Sequence, residues 1–178
     1  MTWTIRKACA GDVDAIERVM RDSLTGIGSR AYDARQIASS LEHVAHLDRE
    51  LVEDGTYFVA EADGAIVGCG GWSRRAKLYA GSAAAGDESR LLDPATEPAR
   101  VRAMFVTVRW ERRGIGRRIL EMCEAEARGE GFTTVELMAM LSGEAMYAAC
   151  GYEPVERLEP ALADGTPLPL TRMTKRLD

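Results

Sequence analysis

Apolar and polar positions follow two different periods over the first part of the chain. Between Trp3 and Lys7 apolar residues alternate with polar ones, which predicts a short strand. After Asp12 the apolar positions recur every three or four residues, which predicts a helix that Asp12 caps. The apolar stripe of this helix consists of Val13, Ile16, Met20 and Leu24.

A second helix is predicted to begin at Asp33. Gln36, three residues later, completes the pattern of a capping box. The apolar spacing then continues, so one helix is predicted up to the residue before Gly55. Its apolar stripe consists of Ile37, Leu41, Val44 and Leu51.

Two strands and a long loop are predicted next. The apolar runs Tyr57–Ala62 and Ile66–Trp72 should pair antiparallel, because the Asp63-Gly64 step between them is typical of a two-residue hairpin turn. From Ser73 to Pro98 the residues Gly, Ala, Ser, Asp and Pro are frequent and the periodicity is lost. This composition predicts a long surface loop, and such loops in compact domains are often functional.

The strand predicted at Val101–Val108 changes its apolar phase along its length. A β-bulge or burial on both faces explains such a change. The two registers are Val101, Ala103 and Phe105 in one, and Met104, Val106 and Val108 in the other.

The remaining third of the chain returns to regular patterns. A helix with the apolar stripe Ile115, Ile119, Met122, Cys123 and Ala127 is predicted to end near Gly129 and Gly131. It is followed by a strand at Thr133–Met138, a helix at Glu144–Cys150, and two strands, Tyr152–Glu159 and Leu168–Arg176, that pair around Asp164-Gly165. The order β-α-α-β-β-β-α-β-α-β-β predicts an α+β fold with helices packed on a mixed sheet.

Composition restricts the partners of the protein. With 178 residues, 46% hydrophobic and 29% charged, the chain is expected to form one domain over residues 2–177. The formal net charge of -5 argues against nucleic acid or an anionic membrane as the main partner. Without a signal peptide or an apolar run of about 18 residues, a cytoplasmic location is expected. The four scattered cysteines indicate neither a metal site nor a disulfide framework.

The segment Val106–Arg118 carries the most chemical information. A predicted strand runs through a glycine turn into a helix start, where open N–H groups and a partial positive charge favour anions. The helix dipole disfavours cations there unless an anion offsets them, yet four arginines crowd this end: Arg112, Arg113, Arg117 and Arg118. The pattern predicts a polyanion site. Ile119 replaces the third glycine of a dinucleotide fingerprint, and no P-loop pattern occurs, so those two classes lose support.

Val106–Arg118 resembles motif A of the GNAT acetyltransferases, written Q/R-x-x-G-x-G/A. The segment Tyr147–Tyr152 is similar to the Tyr-x-x-x-Gly-Phe/Tyr helix end of the same family, and the order of elements agrees over nearly the whole chain. The resemblance implies a mixed, mostly antiparallel central sheet flanked by helices. It also implies an N-acetyltransferase that uses acetyl-CoA as co-substrate, requires no metal, and acetylates a small-molecule or peptide amine. A homodimer is compatible with it.

Roles for particular residues follow from the same resemblance. The pyrophosphate of CoA would be held by the amides of Arg112, Arg113, Gly114, Ile115, Gly116 and Arg117. The bulged strand at Phe105 and Val106 would hydrogen-bond the pantetheine arm. Tyr147 would protonate the departing thiolate, acting as general acid.

The sequence departs from the family pattern at two positions and leaves the general base open. Glu111 stands where the family has Gln or Arg, and Met140 where many members have Asn, with Ser142 the nearest polar residue. Glu136 and Glu144 are candidates for the base, as is a chain of water molecules.

Several further residues keep more than one interpretation. His43 and His46, three apart on the second predicted helix, belong to the helix surface, the acceptor cleft or a metal site. Trp72 and Trp110 belong to the core or to an acceptor pocket. For the whole chain, the alternatives to catalysis are a CoA-binding regulatory module that transfers no acetyl group and a nucleotide-binding domain that uses the same helix start.

Overall fold

The structure, a computed structural model, describes residues 2–79 and 89–177. Within these ranges seven strands form one sheet, in the order β1-β2-β3-β4-β5-β7-β6. The strands are β1 Thr4–Lys7, β2 Tyr57–Ala62, β3 Ala65–Ser73, β4 Ala99–Val106, β5 Thr134–Met140, β6 Glu153–Leu158 and β7 Leu170–Arg176. All neighbouring pairs are antiparallel except β4 and β5, which are parallel. This arrangement confirms the mixed, mostly antiparallel sheet.

Helices cover both faces of this sheet. They are α1 Val13–Gly26, α2 Ala34–His43, α3 Arg49–Glu53, α4 Ile115–Gly129 and α5 Glu144–Ala149. On one face, α4 packs Ile115, Ile119 and Cys123 into a core cluster with strand residues such as Val101 and Leu137. On the other face, the predicted stripe of α1 packs against β2 and β3 residues. The helical periodicities therefore identified the buried sides correctly. No helix in the described ranges is long and apolar enough to cross a membrane.

The prediction of a single second helix is wrong. The chain forms α2, turns at residues 44–48, and starts again as α3. Asp48 ends the turn, because its Oδ1 accepts a hydrogen bond from Glu50 N at 3.1 Å and caps the new helix. Val44 and Leu51 keep helical spacing across the break, but they pack into different clusters. The spacing alone therefore did not reveal the break. The capping box of Asp33 and Gln36 at the start of α2 is confirmed.

The predicted cap of the first helix is also wrong in detail. Asp12 precedes α1, but its side chain makes no capping bond to that helix. Its Oδ2 instead accepts hydrogen bonds from Cys9 N at 2.8 Å and Arg6 Nη1 at 2.7 Å. The hydrogen bond from Arg6 holds the pKa of Asp12 well below its ordinary value. The carboxylate thus ties β1 to the start of α1.

A β-bulge accounts for the phase change in β4. Cys69 of β3 faces Phe105, whereas Gly71 faces Arg102, so two β4 residues stand opposite the single residue Gly70. Ala103 has a φ of 52°, in the left-handed region. A Cβ on Gly70 would lie 2.0 Å from Met104 Sδ, so a larger residue there would force the Met104 side chain to move. The bulge lies at 103–104, before the Phe105 and Val106 positions expected from the resemblance.

The other predicted elements are present with ends displaced by one or two residues. Part of the predicted loop, residues 80–88, lies outside the described residues. The parts on either side of it pair through Arg75 and Leu91, with hydrogen bonds from Ala76 N to Arg90 O and from Leu92 N to Arg74 O. The segment from Ser73 to Pro98 therefore includes a short ladder as well as loop.

Candidate active site

The turn between β4 and α4 presents its backbone N–H groups in a curved arrangement. After β4 the chain makes a 3-10 turn at Val108–Trp110 and enters α4 at Ile115. Arg112, with φ of 59°, and Gly114, with φ of 82°, adopt the left-handed conformation. A left-handed residue beside an ordinary one turns successive N–H groups toward a common point, where an anion can be bound.

Open amides continue into the first turn of α4. No described residue accepts a hydrogen bond from the backbone N–H groups of Gly114, Ile115, Gly116 or Arg117. The first bond of the helix runs from Arg118 N to Gly114 O, at 2.9 Å. Open donors at the positive end of a helix dipole attract anions. The backbone therefore suits the polyanion that the sequence predicts.

Packing holds this turn in place. Asp22 of α1 accepts a hydrogen bond from Val108 N at 2.8 Å. Trp110 is buried, and the Arg113 guanidinium lies 4.9 Å from the centre of its ring. A Cβ on Gly116 would lie 3.0 Å from Met146 Sδ in α5. The conformation of the turn is thus set by contacts within the protein.

Cationic side chains surround the same end of α4. Arg112, Arg113, Arg117 and Arg118 are exposed. Arg117 Nε and Arg118 Nη1 donate to Glu121, at 3.3 and 3.2 Å. Exposed pairs of this kind contribute little to stability, so these side chains can turn toward an anion at low cost.

Glu111, the departure from the family pattern, points elsewhere. Its Oε1 accepts a hydrogen bond from Arg30 Nη1 at 2.9 Å. Arg30 lies just beyond α1, so the carboxylate joins the turn to that helix rather than to the start of α4. The open amides are therefore not blocked by this glutamate.

A cavity begins where β4 and β5 separate. The two strands pair only at Ala99 with Val135 and at Arg100 with Glu136. Beyond these pairs a cavity of about 670 Å³ extends between them. It reaches from the start of α4 to the residues of α1, and we call its two ends the α4 half and the α1 half. The α4 half is lined by Ile115, Gly116, Arg117, Met146 and Tyr147, and the α1 half by Leu24, Ile27, Arg30, His46, Asp48 and Arg102.

The ladder orients the peptide groups of β4 beside this gap. Thr107 N donates to Val67 O at 2.9 Å. Because antiparallel ladders alternate, the peptide groups of Val106 point toward the gap and those of Phe105 toward β3. Of the two residues predicted to contact the pantetheine arm, Val106 is the better placed for a backbone hydrogen bond.

Tyr147 lies on the cavity wall in α5. Its ring is buried and contacts Tyr152 edge to face, with ring centres 5.8 Å apart. In the described part of the chain no residue hydrogen-bonds its hydroxyl group. Burial raises the pKa of Tyr147, so the phenol stays protonated at neutral pH. Ser142 and Met140 line the same cavity.

The two predicted candidates for the base are both occupied by arginine. Glu136 pairs with Arg100 and with Arg172 Nη1, the latter at 3.0 Å. Glu144 accepts from Arg157 Nη2 at 3.2 Å and from Thr171. Neither glutamate lines the cavity, so neither carboxylate faces an amine bound there.

Of the predicted tryptophan and histidine candidates, one of each type lines the cavity and the other lies away from it. Trp110 lines the cavity, whereas Trp72 is fully buried and donates from Nε1 to Glu126 at 2.9 Å. His46 lines the cavity from the α2–α3 turn, but His43 lies in α2 away from it. The two histidines therefore do not share a helix face. Among residues 2–79 and 89–177 no cluster of His, Cys, Asp or Glu could hold a metal ion.

The charged cluster in the α1 half was not predicted from the sequence. Asp48 Oδ2 accepts hydrogen bonds from Lys77 Nζ at 2.9 Å and from Arg102 Nη2 at 3.0 Å. Burial alone would raise the pKa of Asp48, but these two bonds outweigh it and hold the pKa at about 2. An arginine inside the apolar strand Val101–Val108 was the available signal.

Comparisons with known proteins bear on the family and the fold. A comparison with curated proteins gave no match. Among solved structures, a GCN5-related N-acetyltransferase from Rhodopseudomonas palustris has a TM-score of 0.72 and 17% identity, over 99% of this chain and 97% of that one. PaiA N-acetyltransferase from Thermoplasma acidophilum, in complex with coenzyme A, has a TM-score of 0.66 and 16% identity, over 99% of both chains. YncA from Salmonella typhimurium, with its cofactor acetyl-CoA, has a TM-score of 0.62 and 20% identity, over 100% of this chain and 95% of that one.

These likenesses show the fold, and the sequence shows the family. A family model for an acetyltransferase (GNAT) domain matches residues 53–154, which is more than half of the chain. The matched range includes the turn before α4, the parallel pair β4 and β5, and Tyr147. The chain belongs to the GNAT acetyltransferase family.

Proposed function

We propose that residues 2–177 form one acetyl-CoA-dependent N-acetyltransferase domain that acetylates an amine by direct attack on the thioester. One observation carries the proposal: the open amides at the start of α4 adjoin the gap between β4 and β5, where Tyr147 lies. A long anionic thioester needs this combination of an anion site and an adjoining slot. Membership of the family, and relatives in complex with CoA or acetyl-CoA, support it.

The residues present fit the proposed co-substrate. The left-handed turn at Arg112 and Gly114 supplies backbone donors, and the exposed arginines supply charge for a pyrophosphate. A Cβ on Gly114 would meet no atom within 4 Å, so the approach to the turn is open. Val106 would then offer its peptide groups to the amide-bearing arm in the gap.

The proposed reaction needs one proton to leave the amine and one to reach the sulfur. The amine nitrogen forms a bond to the acetyl carbon while the C–S bond breaks, and Tyr147 donates its proton to the departing thiolate. Asp48 and Glu111, the carboxylates on the described cavity wall, are held by cations. We therefore assign removal of the amine proton to water in the cavity.

The test is acetyl-CoA turnover with a panel of amines, read as release of free thiol and confirmed by the mass of the product. Acetylated product from at least one amine is expected. CoA binding without turnover of any amine would favour the non-catalytic CoA-binding module, which the occupied carboxylates of the cavity also suit. Competition by ATP as strong as that by CoA would favour the nucleotide-binding alternative.

A further inference from the structure

Arg102 is placed on the cavity wall by the bulge in β4. The bulge puts Arg102 and Ala103 on the same face of the sheet, toward the α1 half of the cavity. The side chain of Arg102 is only 3% exposed. A charged group this deeply buried is costly unless its donors are occupied.

The donors of this guanidinium are only partly occupied. Nη2 donates to Asp48, but Nη1 is buried and has no hydrogen-bond partner among the described residues. Asp48 is more fully bonded, because its Oδ2 accepts from both Lys77 and Arg102 and its Oδ1 accepts from Glu50 N. Two cations and one anion leave the cluster with a formal charge of +1. The unpartnered Nη1 and the net positive charge together suit one more anionic ligand group.

The rest of the α1 half is mainly apolar. Its wall includes Leu24, Ile27, Val44, Phe105, Leu162 and Leu168. The other charges on this wall, Arg30 and Glu111, already neutralise each other. A ligand that fits both features has an apolar body and one anionic group.

We propose, on the basis of the N-acetyltransferase function above, that the acceptor is an amine bearing a carboxylate and an apolar side chain, and that Arg102 binds the carboxylate. The planar guanidinium matches the two oxygens of a carboxylate, and hydrogen bonds between charged groups are the strongest of their kind. Arg102 is thus a specificity-determining residue. It selects the acceptor and takes no part in proton transfer.

Leucine and leucinamide test this assignment, because they differ in the carboxylate and share the amine and the apolar body. The wild-type protein is expected to favour leucine in kcat/KM by roughly 10- to 100-fold, the range for a charged hydrogen bond. Arg102→Met should remove this preference through KM for leucine, and Arg102→Lys should retain part of it. Arg100→Met is the matched control on the same strand, since Arg100 pairs with Glu136 and does not line the cavity.

Calorimetric binding of leucine and leucinamide to the CoA-bound protein gives a second readout without turnover. A preference for leucine that Arg102→Met abolishes and Arg100→Met retains supports the inference, even if no amine is acetylated and the catalytic proposal fails. Equal use or binding of leucine and leucinamide by the wild-type protein overturns it, whichever variants fold. Retention of the preference in a folded Arg102→Met protein overturns it as well. CoA affinity and the melting temperature show whether each variant is folded.

Discussion

The two halves of the cavity are built in different ways. The α4 half takes its donors from consecutive backbone groups between Arg112 and Arg117, held by the left-handed turn. The α1 half takes its polar groups from side chains far apart in sequence, such as Asp48 and Arg102, whose contact spans 54 positions.

This difference in construction suggests which half of the cavity tolerates sequence change and which half is particular to this chain. A backbone site tolerates changes of side chain, and structures only 16 to 20% identical to this chain share its fold. A side-chain site changes with single substitutions. We therefore expect recognition of CoA to depend on the conformation of the α4 turn and recognition of the acceptor to depend on individual charges.

The largest effect is expected at Tyr147, on the wall of the α4 half. Tyr147→Phe should lower kcat by roughly one to three decades, because a positioned proton donor is lost and water replaces it only in part. CoA affinity should change little, since the ring still packs. Steady-state kinetics with a working acceptor across pH 6 to 9, under conditions where chemistry limits the rate, measure this.

Tyr152→Phe is the matched control for that variant. Tyr152 contacts the Tyr147 ring and is buried, but it does not line the cavity. The kcat of Tyr152→Phe should stay near the wild-type value. A wild-type kcat for Tyr147→Phe, or an equal loss in both variants, would remove Tyr147 from the role of acid.

The next largest effect should come from closing the α4 half. Gly116→Trp should weaken CoA binding by roughly 100-fold or more, because a side chain at this helix start obstructs the close approach of phosphate to open amides. Gly129→Trp, at the other end of α4, is the control, since a Cβ there meets no atom within 4 Å. Calorimetry compares the CoA affinities of the two variants, each shown to be folded. Unchanged CoA affinity in Gly116→Trp would place the pyrophosphate elsewhere.

The elements that surround the α4 half follow from the sequence more directly than those that surround the α1 half, for a physical reason. Strands, helices and the glycine turn before α4 depend on residues close together in sequence, so their periodicity and spacing were visible. The break at Asp48 was hidden because Val44 and Leu51 kept helical spacing while packing into different clusters. The pairing of Asp48 with Arg102 depends on that break and on the bulge, and neither the break nor the exact position of the bulge follows from local pattern.

A smaller effect is expected from single arginines in the α4 half. Arg117→Ala should lower CoA affinity by roughly 3- to 10-fold, the amount for one exposed charge-assisted contact. The loss should shrink as salt is raised, because screening weakens exposed charge pairs. Arg128→Ala, exposed in the last turn of α4, should have no such effect. Isothermal titration at two ionic strengths is the measurement, and indifference of the wild-type affinity to salt would contradict a phosphate site.

Asp48→Asn in the α1 half should have the smallest effect on CoA affinity, and it should change the dependence of stability on pH. The pKa of Asp48 is about 2 in the folded protein against an ordinary 3.8, so its ionised form stabilises the fold. This contribution, roughly 2 kcal/mol, is present above about pH 4 and is lost as pH falls toward 2. Asn keeps an oxygen for Glu50 N but loses the charge that faces Lys77 and Arg102. The free energy of unfolding of the variant should therefore fall below that of wild type at pH 7.

Urea unfolding at pH 7 and pH 3 tests this prediction. The difference in free energy of unfolding between wild type and Asp48→Asn should be about half as large near pH 3 as at pH 7. Asp14→Asn is the control, because Asp14 is exposed on α1 and forms no ion pair with any described residue. It should show no comparable pH dependence. CoA affinity of Asp48→Asn at pH 7 should equal that of wild type, because the open amides lie in the other half of the cavity. A loss of CoA affinity as large as that in Gly116→Trp would mean that the two halves are one coupled site, and that the separation of backbone recognition from side-chain recognition is wrong.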